Sequence, residues 1–263
     1  GVKDWVRFRD GFRMDRIYSQ MGYVFAKHIF GIKGSYAVDP QKGAVVMTLT
    51  TQGDVPIHYT LDGSEPTAAS PRYTGPVEIG KSARFRATAL REGGENASYS
   101  REFAFSKSTG RPAVLNTKPN DSYTFEGASL LVDGYHSRPV FTSGAWLGYL
   151  DEPLDVTIDM GGEQSYRSVE LETLAEKGDW IFPPSSVTVW VSDNGTDFTE
   201  VASVAVPEAK AGDADGIGRY RMQFPETSAR YLKVVAQNAA AIPAWHPGAG
   251  SKGFLFVDEV VVE

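Results

Sequence analysis

From Ala44 onward the apolar residues of this chain recur at every second position, in short runs cut by Gly, Pro and Asp-Gly. A period of two is the period of a pleated strand and cannot present one continuous stripe on a helix. "AVVMTLT" (44–50), "IHYTL" (57–61), "ARFRATAL" (83–90) and "SYSREFAF" (98–105) therefore read as the strands of a small β-sandwich. "SKSTGRP" (106–112) is polar and reads as a linker. Strands then resume with "LDVTIDM" (154–160), "YRSVELET" (166–173), "VTVWVS" (187–192), "RYRMQF" (219–224), "ARYLKVVA" (229–236) and "FLFVDEVVVE" (254–263). Evenly spaced short strands with no helical pattern between them predict a second all-β domain, a sandwich or jelly roll. Helical spacing is confined to the start of the chain, where Trp5, Phe8, Phe12, Ile17 and Met21 fall near one face ahead of Gly22. The fold class expected is all-β with a short N-terminal helix.

The chain of 263 residues is long enough for one large domain or two small ones, each with its own core. Its net charge of −7 argues against a nucleic-acid partner, because phosphate binding needs a basic face. No apolar run nears the roughly 18 residues of a transmembrane segment. The charged opening "GVKDWVRFRDGFRMDRIYSQMGY" is no signal peptide, so the sequence reads as mature or as a fragment. With no cysteine, disulfides and thiolate metal sites are excluded, while the compartment is left open.

Gly248, Gly250 and Gly253 match the spacing of a dinucleotide-binding turn. Such a turn must follow a strand and open a helix, so that the pyrophosphate meets a helix N-terminus. Here it follows a Pro-rich loop and leads into a strand, so the glycines are read as letting a surface loop turn tightly.

"IHYTLDGSEPTAASPRYTGPVEI" (57–79) resembles the fibronectin-like domain that follows the catalytic barrel in bacterial β-N-acetylhexosaminidases and chitobiases. The match is carried by the run from Tyr59 to Thr67, then Ser70, Tyr73 and Pro76. In that run Asp62-Gly63 makes the turn and Pro66 stops the strand, a folding signature with no catalytic part for Asp62 or Glu65. "LLVDG" (130–134), "DWIFPPSSVTVWVSDNGTDFTEV" (179–201), "ARYLKVVAQN" (229–238) and "AWHPGAGSKGFLFVDEVVV" (244–262) resemble a discoidin-type jelly roll. Coagulation-factor C domains and carbohydrate-binding module family 32 share that fold, and this version is similar to the copy appended to family 20 glycoside hydrolases. The resemblances imply a helical stub over 1–32, which would end a catalytic barrel, and a fibronectin-like sandwich over 33–106. A linker and first strand over 107–121 and a discoidin-like jelly roll over 122–263 would follow.

Family 20 enzymes use substrate-assisted hydrolysis, which that resemblance ties to a consecutive Asp-Glu pair at the end of a barrel strand. Asp258-Glu259 and Asp151-Glu152 are such pairs, yet no βα unit is present to build a barrel. Neighbours on a strand also point to opposite faces, so Asp258 and Glu259 cannot converge without a bulge. No catalysis is expected of this chain.

Trp146, Trp180 and Trp245 fall in loop-like segments between strands. A flat indole can stack on the C–H face of a pyranose while His246 or Arg138 hydrogen-bonds its hydroxyls. The alternative for each tryptophan is packing between loop and sandwich as core, and Trp190, inside a strand, is read as core or sheet face. His246 has no second metal ligand at useful spacing and reads as a loop histidine held by its own bonds. The discoidin resemblance implies a structural calcium on Asp133 of the early loop and Glu259 of the last strand. Thr142, Ser143 and Trp146 stand further downstream of Asp133 than in that pattern, and the alternative is a turn acid and a solvated strand residue.

The expected function is that of a non-catalytic C-terminal accessory region of a β-N-acetylhexosaminidase, periplasmic, cell-surface or secreted. Its partners would be the missing catalytic domain, which it braces, and weakly held glycans containing N-acetylhexosamine or galactose. A structural spacer and a protein- or lipid-binding adhesion module are the rival readings, since fold alone does not decide function.

Overall fold

The computed structural model describes residues 31–51, 55–90 and 96–263. The helical stub expected over 1–32 falls, but for residues 31 and 32, outside the described residues. Two compact units divide the chain: residues 37–46, 78–82 and 102–263 make the larger, and the smaller contains 47–77 and 83–101.

The segment 33–106, read as a fibronectin-like sandwich, folds as two three-stranded sheets. One has the order β1 (Lys33–Asp39), β2 (Ala44–Thr50), β4 (Val77–Ile79), and the other β3 (Ile57–Thr60), β5 (Ala83–Ala89), β6 (Ala97–Phe103). Buried Val45, Met47 and Leu49 alternate along β2, as the sequence period requires. The Asp62 carboxylate accepts from the Ser64 N–H at 2.9 Å and its hydroxyl at 2.6 Å, and Gly63 takes φ +84°. Glu65 pairs with Arg86 and accepts from Thr88 Oγ1. Both acids of this motif therefore hold the turn.

The larger unit is built on two 22-residue strands, β9 (Leu154–Ala175) and β12 (Gly216–Gln237). Sequence periodicity predicts two strands in place of each. The apparent breaks, Gly161-Gly162 and Pro225, are bends within continuous strands, because the pairing resumes beyond them. The first part of β9 (Leu154 to Asp159) opposes the end of β12 (Tyr231 to Ala236), and Tyr166 to Ala175 opposes Gly216 to Thr227, with register shifts between. The remaining strands then sort into two layers. Beyond the late part of β12 lie β10 (Ser186–Ser192) and β11 (Thr199–Ala205), with β7 (Ala113–Leu115) on the early part of β9. Beyond the late part of β9 lie β13 (Leu255–Val262) and β8 (Leu147–Tyr149). Val156, Ile158, Val189, Leu232 and Val234 pack with Val169, Leu171, Val257 and Val260 in one buried cluster. This is an all-β sandwich in which two strands pass from one sheet to the other.

The polar stretch read as a linker is packed. Ser108 and Thr109 are buried, Ser108 Oγ donates to Val260 O at 2.5 Å, and the Lys107 N–H donates to Val262 O. Small hydroxyl residues read as linker by composition, yet here they satisfy the last strand's carbonyls.

Where β9 bends, the buried Tyr166 hydroxyl donates to Ala229 O across to β12, and burial pushes its pKa up to about 12. Tyr166→Phe deletes that donor without changing the ring. The expected loss is about 1–2 kcal/mol, from a buried carbonyl left unpaired, read from urea unfolding of the intact chain.

Candidate functional site

Three loops meet at one end of the sandwich: 176–185 after β9, 206–215 before β12 and 238–254 before β13. His246 stands at their junction and is buried. The Gly248 N–H donates to its Nδ1 at 3.0 Å, so the ring proton sits on Nε2, which donates to Lys177 O at 2.9 Å. With both nitrogens engaged by backbone, His246 has none left for a sugar hydroxyl or a metal. The sequence-based assignment of His246 as a sugar contact is corrected: it is a positioning residue.

It positions the two tryptophans. Trp180 and Trp245 pack edge-to-face against its imidazole, with ring centroids at 6.1 and 5.6 Å, and remain 42% and 38% exposed. Trp180 takes a left-handed backbone, φ +63°, uncommon for a bulky residue. Its N–H bonds to Lys177 O and its carbonyl accepts from Phe254 N–H, which hold that conformation. Trp245 is fixed by its indole N–H, which donates to Ala209 O at 2.9 Å. Two of the three glycines of the loop serve this packing, and the third serves the turn. A Cβ on Gly248 would lie 2.8 Å from the Trp180 ring and one on Gly253 2.8 Å from the Phe182 ring, while Gly250 takes φ +82°.

Trp146 and Arg138 do not join them. Trp146 is 0% exposed, packed with Leu174, Ile181 and Phe256, and its indole N–H donates to Arg138 O at 3.0 Å. It has no face for a sugar, so its place among the platform candidates is corrected to core. Arg138 is exposed on the 133–146 loop, and no hydrogen bond or ion pair links its guanidinium to the loops of Trp180 and Trp245.

A second group forms around the last strand. β13 pairs with β9 as Val257 to Thr173 and then Val260 to Leu171, so Asp258 and Glu259 together oppose Glu172. That is a β-bulge, the one circumstance in which strand neighbours escape alternation. Asp133, Glu172, Asp258 and Glu259 are all buried, at 2% exposure or less. The reading of Glu259 as a solvated strand residue is excluded. Tyr135 N–H donates to Asp133 Oδ1 at 2.7 Å, Gly134 N–H to Glu259 Oε1 at 3.2 Å and Ser137 N–H to Asp258 Oδ2 at 2.7 Å. Asp258 Oδ1 and Glu259 Oε2 are buried without a hydrogen-bond partner.

Counter-charge is distributed unevenly. Burial alone would raise the Glu172 pKa, but His136 at 2.9 Å and Arg219 Nε at 2.5 Å outweigh it and hold the carboxyl below its usual value. His136 is held up in turn, chiefly by Glu172. Burial, then repulsion from Asp133 and from each other's neighbourhood of acids, pushes Asp258 and Glu259 well above the carboxylate range. Among the described residues no group of three or more His, Asp or Glu is gathered to hold a metal by side chains alone. Two unpaired buried carboxylate oxygens do fit a hard cation whose other ligands are carbonyls.

The other acid pair is spent on the surface: Asp151 bonds Lys252 at 2.6 Å and Glu152 accepts from the Lys118 N–H at 2.8 Å. Asp258 and Glu259 are closed to substrate by burial. The buried pair lacks the exposure an acid/base couple needs, and the exposed pair is engaged by a lysine and a backbone N–H.

Residues 116–252 match the F5/8 type C domain, more than half of the chain. The chain belongs to the F5/8 type C family. Residues 34–101 of this F5/8 type C protein match the chitobiase/beta-hexosaminidase C-terminal domain. Solved structures resembling it include chitosan-binding module 1 of a chitosanase/glucanase from Paenibacillus sp. IK-5, at 17% identity and TM-score 0.40, covering 60% of this chain and 98% of that one. CpGH89CBM32-5 from Clostridium perfringens, in complex with GalNAc-β-1,3-galactose, is 16% identical with TM-score 0.39, over 58% and 94% of the two chains. No curated protein matches the chain. No helix among the described residues is long and apolar enough to cross a membrane.

The sequence missed Glu172 and His136, and read Asp258 as facing away from Glu259, because the bulge that gathers them leaves no periodic trace. The raised acids of the last strand give a pH signature. A folded-state pKa above the ordinary value means that the folded state holds the extra proton. The stability contribution is therefore complete below about pH 4.5 and is lost as pH rises through the folded pKa. In a chelator, Glu259→Gln is expected to be more stable than wild type at pH 7, with the difference shrinking on acidification toward pH 4.5. Melting both proteins across that range checks it; a constant difference fails the account.

Proposed function

We propose that this chain is a non-catalytic accessory region of a β-N-acetylhexosaminidase, which braces the catalytic domain and binds N-acetylhexosamine- or galactose-containing glycans weakly. The observation that carries the reading is the pair of exposed indoles, Trp180 and Trp245, locked on one buried imidazole. Their order before any ligand arrives spares the entropy of immobilising two large side chains. The two matched families support the pairing of a glycan-binding unit with a hexosaminidase. A periplasmic, cell-surface or secreted location goes with that role, since the glycans of such enzymes lie there.

One aromatic platform contributes roughly 0.5–1.5 kcal/mol beyond area burial, while a millimolar constant is about −4 kcal/mol. Millimolar binding is therefore expected, with retention on a surface arising from tethering and repeated sugars. Titrating N-acetylglucosamine, N-acetylgalactosamine and galactose oligomers by NMR should shift both indole N–H signals, and Trp180→Ala should weaken binding about five- to tenfold. Absence of shifts at tens of millimolar, an upper limit set by the millimolar expectation, would sink the reading.

Asp133 and Glu259, with carbonyls of the 133–137 loop, would hold a structural calcium. Bound there, it would neutralise acids that otherwise repel one another and tie an early loop to the last strand. Millimolar calcium is expected to raise the melting temperature of wild type over that in chelator, and to leave Glu259→Gln unmoved. Equal melting of wild type with calcium and with chelator retires the site.

A further inference from the structure

Beside Trp245 the same three loops enclose an open cleft of about 360 Å³, walled by residues 182–185, 206–209 and 239–244. That is within the range of small-molecule sites, about 300–1,000 Å³. The walls are chiefly proline, alanine, phenylalanine and isoleucine, and the sole charged side chain among them is Glu208. Glu208 is exposed and makes no ion pair among the described residues. The cleft is preformed. Val206 N–H donates to Ser185 O and Ser185 N–H to Gln237 O, both at 2.8 Å, while Ser185 Oγ donates to Asn238 O at 2.9 Å. It also adjoins Trp245, since Ala209 O accepts the Trp245 indole N–H and Phe182 lies 6.4 Å from the Trp245 ring.

We propose that this cleft is a subsite for an amino sugar bearing a free ammonium group, which pairs with Glu208. Apolar walls suit the C–H faces of a pyranose, and a lone carboxylate in them selects a cation over a neutral acetamide. The surrounding charge acts in the same direction. Lys177 is nine-tenths buried and paired with Asp215, and Lys252 is paired with Asp151. The three loops are left with Glu176, Asp179, Glu208 and Asp213 against Lys210. A glycan stacked on Trp245 thus extends toward a carboxylate, and an anionic sugar is disfavoured there.

The subsite rests on the glycan-binding reading, and one titration separates the two. The whole chain is titrated by NMR at pH 6 with a glucosamine trimer and, separately, with an N-acetylglucosamine trimer. The glucosamine trimer is expected to bind roughly five- to tenfold more tightly, with shifts at the amides of Ala239 to Ala241. That preference should vanish in Glu208→Gln, and also near pH 9.5, roughly, where an amine whose pKa is about 8 is neutral. Equal affinities, a preference for the acetylated trimer, or a preference that persists in Glu208→Gln overturns the subsite alone. Binding of neither trimer overturns the subsite and the glycan reading together.

Discussion

The larger unit depends on the antiparallel pairing of two long strands that bend together. Because β9 and β12 stay hydrogen-bonded through the bend, each contributes to both layers, and neither sheet exists without the other. The consequence for the site is geometric. The end of β9, the start of β12 and the start of β13 come to one end of the sandwich, so the loops between them must meet there. A single buried histidine then joins the 176–185 and 238–254 loops through backbone bonds and ring contacts, while Trp245 and Lys177 tie in the 206–215 loop. The rigidity of the aromatic pair is thus inherited from strand pairing rather than from the tryptophans themselves.

The acids of the last strand show how strongly local counter-charge decides the state of a buried group. Glu172, Asp258 and Glu259 share one neighbourhood and are equally inaccessible, at 1% exposure or less. Glu172 has an arginine and a histidine against it and stays ionised; the bulged pair has amide donors and unpaired oxygens, and burial dominates. Unpaired buried carboxylates are costly, so their presence calls for a ligand, whether a proton or a cation. The same burial that creates this demand closes the pair to any substrate.

The aromatic end follows the opposite logic. There the polar groups are satisfied and the apolar surfaces are left open. Trp180 is held in a left-handed conformation by backbone bonds while its ring rests on a glycine that has no Cβ to displace it. Strain of this kind persists only where surrounding structure over-determines it, and it is concentrated at sites of recognition. The adjoining cleft extends the apolar surface and places one carboxylate at its wall.

By itself the sequence determined the all-β class, most of the strands and the turn at Asp62-Gly63. Each of these is written in local period or local turn chemistry. It also determined that the glycine run serves a loop, since no helix follows it. Four features waited on the tertiary structure. Gly161-Gly162 and Pro225 read as strand ends, because continuity is visible only in the partner's hydrogen bonds. Trp146 read as a platform candidate, because whether a loop indole faces inward depends on residues such as Leu174 and Phe256 that are distant in sequence. His246 read both as a sugar contact and as a loop histidine held by its own bonds, because its bond to Lys177 O, which decides for the second, spans a long sequence separation. Asp258 and Glu259 read as facing apart, because alternation is a property of one strand, whereas a bulge is a property of two strands in register.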